Sequence, residues 1–218
     1  MQSEYMESNW AVENLATIRT LMERSAVYRR ALAPVATFAG VVGIVAALLE
    51  LAFDFRNPGL FAIYWMTVSM VALLGGILLV RRQALRHEEA FWSPPTRRVA
   101  MAMLPPMLVG MVFGLVLMRA FWSDGDSGFA LALVPAWTLL YGLALHAASF
   151  FMPPGVRLFA WAYLFAGLAT LTALCFVRRW PSASPILIAD FLMGLLFGGA
   201  HLLYGIYLYF TEARKNEA

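Results

Sequence analysis

The stretch ILIADFLMGLLFGGAHLLYGIYLYF, residues 186–210, decides how this chain folds, because it is long enough to cross a bilayer as a single helix. A hydrocarbon core about 30 Å thick takes roughly 20 apolar residues at about 1.5 Å rise each. Five more stretches have the same character, so that the predicted spans are 31–53, 60–80, 99–122, 129–152, 156–177 and 186–210. The sequence therefore predicts an all-α polytopic membrane protein with six transmembrane helices in one bundle.

Composition supports lipid as the solvent of this bundle. Hydrophobic residues make up 61% of the chain and charged residues 13%, whereas a soluble domain carries about 25% charge. The 218 residues accommodate one transmembrane domain over 31–210 and a short tail over 211–218. The net charge of +3 sits at helix ends and gives no reason to expect nucleic acid. The single cysteine, Cys175, excludes an internal disulfide and a site built from several thiolates.

The first 30 residues predict an amphipathic helix at the membrane interface. At about 100° per residue one apolar arc collects several side chains, namely Trp10, Leu15, Ile18, Leu21, Met22 and Tyr28. Such a helix either lies in the headgroup layer or packs on the protein's own loops.

The arginines predict an orientation for the six spans. Twelve basic residues fall on one side if the N-terminus is cytoplasmic, against four on the other: Arg56, Arg119, Arg178 and Arg179. Short cytoplasmic loops carry an excess of Arg and Lys, so both termini are expected in the cytoplasm. The loop after the second span contributes a cluster of five that is a candidate site for anionic lipid headgroups: Arg81, Arg82, Arg86, Arg97 and Arg98.

Small residues at helical spacing predict the contacts between the spans. One face of the first span carries Ala36, Gly40, Gly43, Ala47 and Glu50, and one face of the sixth carries Asp190, Gly194, Gly198, His201 and Gly205. The fourth span has a similar stripe, made of Pro135, Thr138, Gly142, His146 and Ser149. Small side chains let membrane helices approach closely, so these stripes are expected to be inter-helix seams.

Two histidines are the main candidates for function. His146 and His201 lie on parallel spans, about 15–17 residues from the same end, and are therefore expected at similar depth, facing the bundle interior. Tyr141 and Tyr204 fall close enough to bond them. Three interpretations stay open: hydrogen-bonded structural histidines, the lining of a cavity for a solute or proton, or ligands of haem or a metal.

Two acidic residues close the same end of the first and sixth seams. Glu50 and Asp190 are expected either to pair with Arg119, Arg178 or Arg179, or to form the mouth of a pathway towards the histidines.

Catalytic signatures are absent from the sequence, which contains no Gly-rich phosphate loop, no HExxH and no nucleophile elbow. We expect no enzyme activity, no catalytic residue, no metal site and, outside the haem alternative, no cofactor. The leading hypothesis is a non-enzymatic sensor or assembly component that binds a ligand or a partner and forms a homo-oligomer or joins another membrane protein. The alternative is a small-solute or proton-coupled transporter or channel, and haem-based electron transfer comes third.

Three segments carry a resemblance to a known family. YRRALAP at 28–34, FWSPPTRRVA at 91–100 and AHLLYGIYLYFTEARK at 200–215 resemble an uncharacterised family of small bacterial six-helix integral membrane proteins. The resemblance implies a bacterial inner-membrane location, and it brings no substrate, cofactor or site residue.

Overall fold

The protein is described by a computed structural model that covers residues 31–53, 57–121, 128–176 and 184–216. Within these ranges the regular structure is helical, and six helices are long and apolar enough to cross a membrane, which confirms the predicted bundle of six spans. The first five spans are α1 (Ala31–Phe53), α2 (Pro58–Arg86), α3 (Pro94–Phe121), α4 (Gly128–Ala148) and α5 (Pro154–Phe176). The sixth span runs from α6 (Pro185–Met193) through a π-helical segment (Gly194–Gly199) into α7 (Ala200–Asn216).

The helices extend beyond the apolar stretches that predict them. α3 begins at Pro94, because proline is well suited to the first turn of a helix, and it continues through Pro105 and Pro106. α7 continues to Asn216, past the predicted start of the tail. The predicted interfacial helix over 1–30 lies outside the described residues, as do the loop charges of 54–56, 122–127 and 177–183.

Neighbouring spans in the sequence run antiparallel and pack against each other. The Tyr64 hydroxyl of α2 donates to the Ala46 carbonyl of α1 at 2.6 Å, and the Trp137 indole of α4 donates to the Gly110 carbonyl of α3 at 2.9 Å. A short 3₁₀ turn, Ser149–Phe151, connects α4 to α5. We call the end of the bundle with residue 31, the α2–α3 loop and residue 216 the terminal end, and the end with residues 53, 58, 128 and 185 the far end.

The core of the bundle lies along α4. Of its most apolar stretch, 56% of the residues are buried inside the protein, against 11% for α2. The outer faces of α2, α3 and α5 expose large apolar side chains, among them Leu74, Leu78, Val112, Val116 and Phe165. A continuous apolar outer surface of this kind is suited to contact with the bilayer.

Candidate functional site

α1 and the sixth span approach so closely that only glycine fits between their backbones. A Cβ on Gly43 would lie 2.7 Å from the Gly198 Cα, and one on Gly198 would lie 2.7 Å from the Ile44 amide nitrogen. A Cβ on Gly194 would lie 2.6 Å from the Cβ of Ala47. The glycine spacing therefore predicts this contact correctly, and the contact holds α1 against the polar residues of the sixth span.

The middle of the sixth span is a π-helix, Gly194–Gly199. The Ala200 amide donates to the Leu195 carbonyl, five residues back, so the Leu196 carbonyl loses the amide that an α-helix would give it. The Tyr163 hydroxyl of α5 donates to that carbonyl at 2.6 Å. A side chain from a neighbouring span therefore stabilises the wide turn.

His201 lies two residues beyond the π-helix and is 6% exposed. Its Nε2 is 2.7 Å from the Tyr141 hydroxyl of α4. Its Nδ1 is 2.7 Å from the Phe197 carbonyl and 2.8 Å from the Tyr163 hydroxyl. Four polar groups from three spans, the imidazole included, therefore meet inside the bundle.

This network assigns the hydrogens of the His201 ring. A carbonyl only accepts, so Nδ1 carries the hydrogen, which it shares between the Phe197 carbonyl and the Tyr163 hydroxyl oxygen. Nε2 then accepts the hydrogen of the Tyr141 hydroxyl. Both ring nitrogens are used, which is the pattern of a neutral histidine that stabilises a helix contact.

Aromatic rings surround the same imidazole. The rings of Phe159, Tyr141 and Tyr163 have centroids 5.3 Å, 5.4 Å and 5.6 Å from that of His201. Tyr204, the other predicted tyrosine, stacks on Phe159 at 4.1 Å. Packing of this density leaves both ring nitrogens facing protein atoms.

His146 does not join this cluster. It lies five residues after Tyr141 on α4 and is half-buried beside Phe150 and Trp161, whose ring centroids are 5.6 Å and 5.4 Å from that of the imidazole. Its Nδ1 has no hydrogen-bond partner. The two histidines therefore have different neighbours, and their similar depth stays a prediction.

The structure does bring together the two predicted acidic residues. Glu50 is 2% exposed and Asp190 5%, and their carboxyl groups lie in mutual hydrogen-bonding reach across the seam of α1 and the sixth span. Neither oxygen of Glu50 receives a hydrogen bond from a protein donor, and neither does Oδ2 of Asp190. Two neighbouring buried carboxyl groups therefore have three oxygens with no protein donor. We call these two residues the carboxyl pair.

α2 orients this pair from one side. The Trp65 indole nitrogen donates to Oδ1 of Asp190 at 2.9 Å, and both side chains are buried. The predicted ion pair with Arg119 is not made, since Arg119 lies exposed on the outer face of α3, beside Val112 and Val116. Arg178 and Arg179 lie outside the described residues.

The basic cluster that was predicted for the loop after the second span lies at the terminal end, in the last turns of α2 and the first turn of α3. All five of its arginines are exposed: Arg81, Arg82, Arg86, Arg97 and Arg98. Trp92 is 60% exposed in the same loop and contacts Phe91, with ring centroids 6.1 Å apart. Exposed aromatic and basic side chains at one end of a bundle suit a headgroup layer.

Metal-ligand clusters were not expected, and in the part of the chain that is described no three His, Cys, Asp or Glu side chains gather into one. The two histidines have different neighbours, and His201 uses both ring nitrogens, so this geometry does not assemble a shared iron site.

Sequence reasoning missed three parts of the site. Tyr163 lies between apolar residues of α5, Trp65 follows Tyr64 in α2, and the π-helix changes the register of the sixth span. The position of Trp65 was a signal in the sequence. It lies seven residues into α2, deeper than the headgroup level at which tryptophans of membrane proteins are enriched. The paired glycines 198 and 199 were a signal for an irregular turn.

Comparisons of the chain with protein-family models, with curated proteins and with solved structures return no match.

Proposed function

We propose that this chain is a non-enzymatic membrane protein that binds a small positively charged ligand at the carboxyl pair, as the sensing or assembly component of a membrane system. The observation that carries the proposal is the set of three buried carboxyl oxygens of Glu50 and Asp190 that have no protein donor. An uncompensated carboxylate inside a membrane is costly, so intramembrane acids are retained chiefly where they bind something.

The position of the pair supports a role in sensing. Glu50 and Asp190 belong to α1 and the sixth span, and the glycine contact of Gly194 with Ala47 lies one turn from them. A cation between the carboxyl groups attracts both, whereas an empty, ionised pair repels itself across the seam. Ligand occupancy therefore acts directly on the close contact between α1 and the sixth span.

The alternative hypothesis, a solute or proton pathway through His146 and His201, receives less support from the geometry. The two rings have different neighbours, and the ring of His201 is enclosed by Phe159, Tyr141 and Tyr163. A pathway would have to break the bonds of both ring nitrogens of His201.

The same proposal includes the setting of the protein. We place it in a bacterial inner membrane with both termini cytoplasmic, because of the arginine distribution and the family resemblance. The exposed arginine cluster attracts anionic lipid headgroups at about 1 kcal/mol per side chain, and the protein forms a homo-oligomer or joins a membrane partner. Reporter fusions in the α2–α3 loop and after residue 216 test the orientation, and sizing in nanodiscs tests the assembly.

Unfolding of the full chain in nanodiscs tests the ligand proposal. The wild type should gain stability as a cationic ligand, either protons or a metal cation, becomes more concentrated, by about 1.4 kcal/mol per tenfold above the Kd. The double variant Glu50→Gln with Asp190→Asn keeps the shape of the pair and should lose this response. Glu88→Gln, an exposed loop acid, is the matched control and should keep it. Identical responses of the wild type and the double variant would contradict the proposal.

A further inference from the structure

Building on the proposed function, we infer that the ligand of the carboxyl pair is a single proton, held between Glu50 and Asp190 and released when the seam between α1 and the sixth span opens. The inference names the class of ligand, and it rests on the oxygens available at the site and on the side chains that surround them.

The protein supplies too few oxygens to replace the water shell of a metal cation. Three carboxyl oxygens of the pair lack a protein donor, and Oδ1 of Asp190 accepts from Trp65. Ca²⁺ takes six to eight oxygens, and Mg²⁺ takes about six, so either ion would have to bring several waters into this buried seam. Zn²⁺ prefers nitrogen or sulfur ligands, and in the described chain no His or Cys completes a three-residue cluster with the pair. A proton needs only two oxygens within hydrogen-bonding reach, which the pair provides.

The surroundings supply no other positive charge from the described residues. Around the pair, α1 contributes Glu50, the sixth span Asp190, and α2 the Tyr64 hydroxyl and the Trp65 indole. The part of α4 in the adjoining core is apolar, with Phe129, Ala130, Leu131, Leu133 and Val134. Arg119 of α3 is exposed on the outer surface. A carboxyl pair in such a setting does not carry two negative charges, because like charges in contact repel strongly away from water.

The proton also explains how Asp190 is held. Trp65 donates to Oδ1 of Asp190, which fixes the orientation of this carboxyl group within hydrogen-bonding reach of Glu50. A hydrogen on either carboxyl group then completes a bond between them, and both side chains stay buried. The pair therefore titrates as a unit, one proton for two groups.

The pH dependence of stability follows from this. The folded protein holds a proton that the unfolded chain releases near neutral pH, so stability is present at low pH and is lost as the pH rises. Across the range in which only the folded state holds the proton, the unfolding equilibrium constant should rise about tenfold per pH unit. In the double variant Glu50→Gln/Asp190→Asn this pH dependence of stability should be absent.

Infrared difference spectroscopy of the full chain in nanodiscs tests the inference. The wild type at neutral pH should show the C=O stretch of a protonated carboxyl group, and the band should disappear in Glu50→Gln and shift or disappear in Asp190→Asn. The control Glu88→Gln should keep the band unchanged, because Glu88 lies exposed in the α2–α3 loop. The same samples are then titrated at fixed pH with Na⁺, Mg²⁺, Ca²⁺ and Zn²⁺ while unfolding is followed.

The outcomes distinguish a failure of the inference alone from a failure of the proposed function. A carboxyl band that depends on the pair, with no specific stabilisation by cations, supports both. If the band is absent and one cation stabilises the wild type but not the Gln/Asn variant, the proton is the wrong ligand and the proposed binding site stands. If the band is absent and no cation distinguishes the two proteins, the inference and the proposed function fail together.

Discussion

The sixth span carries two buried polar clusters eleven residues apart, and they differ in how their polar atoms are partnered. At His201 every ring nitrogen bonds to a group of the protein, and the π-helix carbonyl beside it accepts from Tyr163. At the carboxyl pair three oxygens have no protein donor. Saturated polar groups fix the packing of a bundle, whereas unsaturated ones leave a place for a ligand. We therefore propose a structural role for His201 and a ligand-binding role for Glu50 and Asp190.

Removal of His201 should produce the largest effect if its cluster is structural. His201→Ala leaves a cavity and strips the Tyr141 hydroxyl and the Phe197 carbonyl of their partner, so we expect a loss of about 3–5 kcal/mol. Unfolding in mixed micelles measures it. The milder Tyr141→Phe removes one hydrogen bond and should cost about 1–2 kcal/mol. A loss below about 1 kcal/mol for His201→Ala would show that the network does not hold the bundle.

Displacement of α1 should separate the two clusters. Gly43→Leu places a side chain where a Cβ already lies 2.7 Å from the Gly198 Cα, and overpacking of this kind costs about 2–3 kcal/mol. The matched control is Gly199→Ala, whose Cβ would meet its nearest atom at 3.7 Å. Gly43→Leu should lose the carboxyl C=O band, because Glu50 moves with α1, whereas Gly199→Ala should keep it.

The histidine cluster gives a second measurement on Gly43→Leu. It joins α4, α5 and the sixth span without α1, so the imidazole NMR signals of His201 should persist in Gly43→Leu. Simultaneous loss of the imidazole signals and the carboxyl band would show that the two clusters form one cooperative unit.

Neutralisation of the carboxyl pair should have the opposite sign from removal of His201. Glu50→Gln keeps the size of the side chain and removes the buried acid, so above neutral pH we expect stability to be unchanged or to rise by about 1–2 kcal/mol. At low pH the variant and the wild type should agree, because both are then neutral. A loss above about 2 kcal/mol at every pH would indicate that the carboxyl group is structural.

The six spans and the helix seam could be predicted from the sequence, whereas the partners of the two acids could not. The six spans follow from local hydropathy, and the seam follows from the helical spacing of Gly43, Gly194 and Gly198, because both signals lie within single helices. Glu50 and Asp190 were placed at one end for the same reason. Whether they meet each other or an arginine depends on rotations of whole helices, which no local pattern records.

The partners of His201 lie beyond local patterns for a related reason. Counting along one helix gives the depth of a residue, whereas the side chains that it meets follow from the packing of α4, α5 and the sixth span. Tyr163 could not be predicted as the second partner, because it depends on a π-turn carbonyl that an ideal helix would not offer.

Replacement of His146 should have the smallest effect on stability. It tests whether a histidine stabilises the bundle because of its burial or because of its residue type. Its ring is half-buried, its Nδ1 bonds to nothing, and its contacts are the edges of Phe150 and Trp161. His146→Leu keeps the volume and loses no hydrogen bond, so the free energy of unfolding should change by less than about 0.5 kcal/mol. The matched His201→Leu also keeps the volume but leaves Tyr141 and Phe197 unpartnered, and it should cost about 2–3 kcal/mol. Equal losses for the two variants would mean that the partners of His201 contribute nothing beyond packing, and the contrast between the saturated cluster and the carboxyl pair would then lose its basis.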